Sequence, residues 1–409
     1  MVFMNKKPLL TVVLILLFLY ILNTMRGMLV FEGMQSDLGH SIIYVLLYLF
    51  FTISYAINKS PFKIKGGLYH SLVFFLIYAF VVNNITLMLG LGSYGRVAHF
   101  LTVVPIMTLL FFSGFTKKDN SYINYSMLII CVFVVIMGYI FYTNRQNVVD
   151  FLNNENVGLN ASYFLMYSLP LVMCVKKNYI RYIMMLFIIL AVMMSFKRTG
   201  FAATLLAIAV YYFVDRFLLG KISFKTILGL ILVIGIIVLV VLYISNLTEG
   251  YLLVRFTQAL DNGDPRDELR EIAFKMIVNS DFFPLLFGHG YDMMMYDSPE
   301  ELASHNDYLE VTYDYGLIGL VLYLNIYLQL FILGRKLLKT KSKFAAPLFA
   351  SLVLLSICSF FSHIFLYHHF SSLLLLFWAI VIGDYQHGLS DKPLEVHRLS
   401  LQQDKNTLN

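Results

Sequence analysis

Residues 305–319 read His-Asn-Asp-Tyr-Leu-Glu-Val-Thr-Tyr-Asp-Tyr-Gly-Leu-Ile-Gly. An imidazole is nearly neutral at ambient pH, so His305 can accept a proton from a substrate hydroxyl at little cost. Asn306 follows it directly. Asp307, Glu310 and Asp314 fall at i, i+3 and i+7 and share one stripe of a helix. Acids in the outer turns of a membrane helix are expensive unless they face protein or water. The stripe therefore predicts a polar cavity. Gly316 and Gly319 stand three apart, a spacing that lets a neighbouring helix approach closely. An interfacial histidine can equally do no more than cap the start of a helix.

Arginines supply a second chemistry, because a planar guanidinium grips phosphate or carboxylate at two points. Arg198 lies in Ser195-Phe-Lys-Arg-Thr-Gly200, between two apolar runs. Charges at bilayer depth cost on the order of 3 kcal/mol each, which argues for a use, with snorkelling to headgroups as the alternative. Arg266 and Arg270 are four apart on a helix expected over Arg266–Val278, with Asp264 as its N-cap and Pro265 at its first position. Leu269, Ile272, Ala273, Met276 and Ile277 give that helix an apolar face, expected to lie on the membrane or on the bundle. Glu271 and Lys275 read as a surface pair. Asn279-Ser280 closes the helix, and Leu286-Phe-Gly-His-Gly-Tyr291 follows with two glycines that allow a tight bend. His289 reads as a turn residue or a ligand. His363, His368 and His369 cluster in sequence as weak metal candidates, with no carboxylate or cysteine among them.

These groups must be held by membrane helices. Hydrophobic residues make up 59% of the 409-residue chain and charged residues 13%, against about 25% charged in a soluble domain. About 20 apolar residues cross a bilayer. Twelve spans are read, at 8–24, 38–57, 67–84, 97–115, 122–142, 159–175, 179–196, 200–215, 226–245, 305–334, 345–362 and 369–385. The fold expected is all-α: a polytopic membrane helical bundle with one large extracytoplasmic loop subdomain. Its parts are residues 1–245 with spans one to nine, the loop 246–304 with its amphipathic helix, residues 305–386 with spans ten to twelve, and a cytoplasmic tail 387–409. The tenth span is long and is expected to tilt or to begin above the bilayer. Lys6 and Lys7 precede the first apolar run, which reads as a retained span because no small-x-small cleavage site follows.

With the N-terminus in the cytoplasm, 21 of the 30 basic residues fall on inner segments, and an odd error in the span count would destroy that bias. Both termini are thus expected inside, and His305 outside. The inner cations are mostly lysine and the outer ones mostly arginine. Since 18 of the 24 acids fall outside, the outer arginines either pair with acids or serve one ligand. The excluded classes follow from what is missing. There is no P-loop, no dinucleotide fingerprint and no Asp-x-Asp pair for a metal-bridged nucleotide-sugar. The net charge of +6 reflects inner lysines and implies no nucleic-acid partner. Cys131, Cys174 and Cys358 sit in apolar runs and suggest neither disulfide nor zinc. No charge lies mid-span, which argues against an ion-coupled pump.

The pattern His305-Asn306, nine residues, Gly316, two residues, Gly319 resembles the O-antigen ligase and O-antigen/capsule polymerase family of bacterial membrane glycosyltransferases. Ser195-Phe-Lys-Arg198, Arg266 leading to Pro284-Leu-Leu-Phe-Gly-His-Gly290, and Leu159-Asn-Ala-Ser162 are similar to further family elements. Arg270 departs from it, standing where the family often has an aromatic residue. The resemblance implies transfer of a polyprenyl-diphosphate-linked oligosaccharide to an acceptor hydroxyl at the outer face of the bacterial cytoplasmic membrane, with inversion and with no metal or cofactor. His305 would be the base. Arg198, Arg266 and Arg270 would hold the diphosphate, supported by Asn306, Glu310, Asp314, Gly316 and Gly319. Membrane lipid, a chain-length regulator and a flippase of the same pathway are the partners implied. A polymerase of repeat units is the reading preferred, with a ligase to lipid A-core as the alternative and a lipid-linked sugar flippase as a different class.

Overall fold

The computed structural model describes residues 66–90, 162–194, 198–218, 266–299, 301–363 and 373–385, with isolated positions at 15, 235, 242, 246, 365 and 371. In chain order the helices are α1 (Gly67–Met88), α2 (Ser162–Met173), α3 (Asn178–Met194), α4 (Arg198–Phe213), α5 (Arg266–Val278), α6 (Phe282–Phe287), α7 (Met293–Asp297), α8 (Asp307–Lys339), α9 (Ala345–Phe361) and α10 (Leu373–Tyr385). Among the described residues there is no strand. Seven of the expected spans coincide with α1 to α4 and α8 to α10. Those at 8–24, 38–57, 97–115, 122–142 and 226–245 lie outside the described residues, isolated positions apart. So do Asn160, Ser195 to Lys197, Asp264, Pro265, His368, His369, Cys131 and the C-terminal tail.

Among the described residues two helices, α1 and α8, are long and apolar enough to cross a membrane. Gly319, Tyr323, Ile326, Leu330, Leu333, Gly334 and Leu337 form the buried stripe of α8, while Leu317, Val321, Leu324, Leu328 and Phe331 are exposed. The alternating steps of three and four are the periodicity of a helix–helix seam. α1 runs antiparallel to it. Phe75 packs on Tyr315 and Tyr323, and Asn325 Nδ2 donates to Ser71 Oγ at 2.8 Å. α9 also packs on α8, meeting it at Ser359 and Tyr323, and is in turn packed by α2 and α4. The single tryptophan, Trp378, is fully buried on α10 and donates its indole N–H to Ser351 Oγ on α9 at 3.0 Å.

The long tenth span is not one tilted rod. Gly316 has φ 67° and ψ −176° and breaks α8 in two. The part after Gly316 is about 35 Å long at 1.5 Å per residue, enough for a hydrocarbon core of about 30 Å. The part before it, residues 307–315, is a separate outlying helix that bears all three acids.

A break in a helix strands carbonyls that no longer meet the amide four residues on. Here the loop after α6 supplies the missing donors. His289 N donates to Tyr313 O at 3.1 Å and Gly290 N to Asp314 O at 2.8 Å. The Tyr78 hydroxyl on α1 lies 3.0 Å from both Tyr315 O and Phe287 O. His289 also stacks flat on Tyr313, with ring centroids 4.0 Å apart, so its role is structural. A Cβ at Gly316 would meet the backbone of Leu286 and Phe287, and one at Gly288 would meet that of Asp314 and Tyr315. The sequence reading gave Gly316 to helix–helix packing. In the structure Gly316 receives the end of the short helix α6, at Leu286 and Phe287, while Gly319 lies against Tyr315 of its own helix and near Tyr78 of α1. Replacing Tyr78 with phenylalanine removes the hydroxyl that serves two carbonyls. We expect about 1–2 kcal/mol of lost stability, read as a lower denaturation midpoint of Trp378 fluorescence in detergent.

Candidate active site

α5 begins at Arg266 and ends before Asn279-Ser280. Its apolar face lies on the bundle: Ala273 and Ile277 pack with Met293, Met294 and Tyr313, joined by Met276, Leu285 and Leu309. The exposed Glu271 carboxylate is held below its usual range by the hydrogen bond and charge of Lys275, 2.7 Å away. This docking aims the arginines of α5 at the last turn of α9. Arg266 donates to Phe361 O at 2.9 Å. The Arg270 guanidinium lies over the rings of Phe360 and Phe361, 5.8 and 5.6 Å from their centroids, within cation–π range. Its Nη1 is held by Asp267 at 2.7 Å, while its buried Nε and Nη2 make no hydrogen bond. Arg270 thus pairs with an acid of its own helix.

His305 is fixed from both sides. Ser304, before it, gives its backbone N–H and its hydroxyl to Glu310 Oε1 at 2.6 and 2.9 Å. Asn306, after it, caps α8 through Oδ1, which accepts from Tyr308 N and Leu309 N at 2.9 and 3.2 Å. Asn306 Nδ2 donates to Phe360 O at 3.1 Å and ties the turn to α9. Between these clamps His305 is held at φ 54°, a left-handed conformation that few non-glycine residues adopt. The ring is half-buried, and its centroid lies 5.0 Å from that of His363.

The acids do not line a cavity, contrary to expectation. Asp307, Glu310 and Asp314 are 0%, 3% and 1% exposed, and each is occupied by donors from the protein. Asp314 accepts from Asp292 N and Met294 N at 2.8 and 2.9 Å, which docks the start of α7 onto α8. Asp307 accepts from Phe365 N at 3.2 Å and from the Tyr323 hydroxyl at 3.4 Å. A buried carboxyl group is costly unless hydrogen-bonded, and here backbone amides meet much of that need. Glu310 is thus a clamp for His305, while Asp314 supports the loop and not the site.

Arg198 reaches the same end of the bundle by topology. Tyr163 at the start of α2 meets Ser362 Oγ at 2.9 Å. Tyr211, near the end of α4, donates to Met173 O at the end of α2 at 3.5 Å. α2 and α4 therefore run the same way, and Arg198 opens α4 at the end where Ser362 lies. His305, Asn306, Arg266 and Arg270 gather around residues 360–363, with Arg198 at the same level. Two residues of this cluster were not assigned to it from the sequence: His363, set aside as a metal candidate, and Asp307, taken only as part of a stripe. The available signal for His363 was its position at the end of the span adjoining His305.

Residues 183–324 match the family described as O-antigen ligase. This segment is an O-antigen ligase family domain. It contains Arg198, Arg266, Arg270, His305 and both glycines of the helix break, and it stops short of His363. No curated protein matches the chain. This similarity, over about a third of the chain, supports a place in membrane O-antigen processing and glycosyltransferase-like chemistry.

Proposed function

We propose that the chain transfers a glycan from a polyprenyl-diphosphate carrier to an acceptor hydroxyl, at the extracytoplasmic face of the bacterial cytoplasmic membrane. The observation that carries this reading is the convergence of an imidazole on a clamped turn and two arginines from α5 on one end of α9. In this reading His305 removes the acceptor proton as the acceptor oxygen attacks the anomeric carbon. The bond to the diphosphate breaks with its electron pair, and Arg266 and Arg270, with Arg198 at their level, stabilise the charge that develops there. Attack opposite a leaving diphosphate inverts the anomeric carbon. Diphosphate leaves readily, so the mechanism asks for no metal and no general acid. The loop 246–304 presents the arginines from outside the bundle, and twelve spans with both termini inside set that orientation.

The acceptor separates two versions. The sequence reading preferred a growing chain of repeat units; the description of the matched family favours the lipid A-core acceptor of a ligase. We take the ligase as the better supported, with the polymerase as the second reading. Deleting the gene decides between them. A lost ligase leaves full-length polymer on the polyprenyl carrier and none on lipopolysaccharide, whereas a lost polymerase leaves single repeats on lipid A-core. Unmodified lipid-linked repeats facing the cytoplasm would instead indicate a flippase and overturn both.

A further inference from the structure

His363 lies beyond the matched residues 183–324 and in a part of the chain that the transfer scheme does not use. Its strap is nevertheless built as carefully as that of His305. Phe360 O accepts from Asn306, and Phe361 O accepts from Arg266. Ser362 gives its N–H to Cys358 O at 2.8 Å, and its hydroxyl meets Tyr163. Two residues past the histidine, Phe365 N is held by both oxygens of Asp307. The fixed residues on either side leave His363 a single place to stand, and that place is against His305, with ring centroids 5.0 Å apart and planes tilted by 54°.

The two straps share one foundation. Asp307 and Glu310 stand one helical turn apart on the outlying part of α8. Glu310 holds the residue before His305, and Asp307 holds the strap of His363. Two imidazoles brought together by separate hydrogen-bond systems are not a packing accident, because neither ring is needed to fill an apolar core. At this spacing two rings can be joined by an N–H···N bond or through one water. Both groups are imidazoles, so each can take a proton from the other at ambient pH.

We propose that His363 is the proton acceptor for His305 in the transfer reaction. The proposal rests on the reading of His305 as the base. In the first step the acceptor hydroxyl loses its proton to His305, its oxygen bonds to the anomeric carbon, and the polyprenyl diphosphate departs with the electron pair. In the second, the proton on His305 moves to His363 and from there to water, since His363 is half-buried and not sealed in. One proton leaves per bond formed, and His305 is again neutral for the next acceptor while the glycan product still covers it. His363 does not touch the donor in this scheme, so donor affinity does not depend on it.

The test uses the full chain in proteoliposomes of bacterial phospholipid, supplied with a polyprenyl-diphosphate-linked glycan and the acceptor identified by the deletion strain. Wild type, His305→Asn, His363→Ala and His363→Asn are compared. Asparagine can hydrogen-bond but cannot carry a proton. Both His363 variants are expected to turn over roughly 10- to 100-fold more slowly, with the KM for the donor unchanged. Free imidazole is expected to restore a measurable part of the rate in His363→Ala. A wild-type rate in His363→Asn would reduce His363 to a hydrogen-bonding prop and overturn the proposal. So would a raised KM at unchanged kcat, or a loss that imidazole does not relieve in a variant with wild-type Trp378 fluorescence. If wild type transfers, His305→Asn does not, and both His363 variants match wild type, the hand-off alone is wrong. Absence of transfer by wild type itself would overturn the glycan-transfer reading and the hand-off with it.

Discussion

Replacing His305 with asparagine is expected to lower glycan transfer by roughly 10²–10⁴-fold, the usual worth of a positioned base, while leaving the denaturation midpoint of the protein unchanged. Asparagine is the informative substitution because His305 stands at φ 54°. Among non-glycine residues asparagine is several-fold enriched at positive φ, so it keeps the turn. Alanine in the left-handed region costs about 1–2 kcal/mol and mixes a folding defect into the result. The clamps on either side, Glu310 on Ser304 and the Asn306 cap, survive the exchange because they involve other residues. The measurement is transfer rate in proteoliposomes alongside Trp378 fluorescence on denaturation. A variant that melts normally yet transfers at the wild-type rate would remove His305 from the chemistry.

The largest structural effect is expected at Gly316. Its φ of 67° with ψ of −176° lies in a region essentially closed to residues with a side chain. Strain there costs about 1–3 kcal/mol. An added Cβ must also push into the backbone of Leu286 and Phe287, and overpacking adds about 1–3 kcal/mol more. Gly316→Ala should therefore cost about 2–6 kcal/mol, seen as poor yield and a strongly lowered midpoint. Gly319→Ala has no left-handed φ to strain, but its Cβ would meet that of Tyr315, so it should cost the overpacking part alone, about 1–3 kcal/mol. If the two substitutions prove equal, the left-handed backbone at Gly316 adds nothing to the cost of the overlap.

The difference between these glycines shows what could be read from the chain and what could not. The helices at α1 to α4 and α8 to α10 were legible because apolar runs of that length have few other fates. The start and end of α5 were legible from its caps and its periodic face. His305 stood out in the sequence by its place at the mouth of a span, and Arg266 and Arg270 by their shared face on α5. What the sequence hid was pairing at long range. Nothing local says that Gly288-His-Gly290 docks on Tyr313-Asp-Tyr-Gly316, because each segment looks complete as a turn or a helix until the other is seen. The acids were misread for the same reason. Spacing put them on one stripe, but their partners are backbone amides at Ser304, Asp292, Met294 and Phe365, and no side-chain pattern announces a backbone donor. His363 was passed over because its neighbour in space is 58 residues from it in the chain.

The joint at Gly316 also sets a ruler. The outlying part of α8 is anchored at its lower end by the loop carbonyl contacts and at its upper end by Asn306, whose amide reaches α9. Each residue added or removed between those anchors would swing the upper end by about 100° and shift it by about 1.5 Å. Many single exchanges of side chain along 308–315 leave both anchors in register; a single deletion would carry His305 round to the wrong side. Chains built on this plan can drift in spelling across that stretch, yet its residue count is held by geometry.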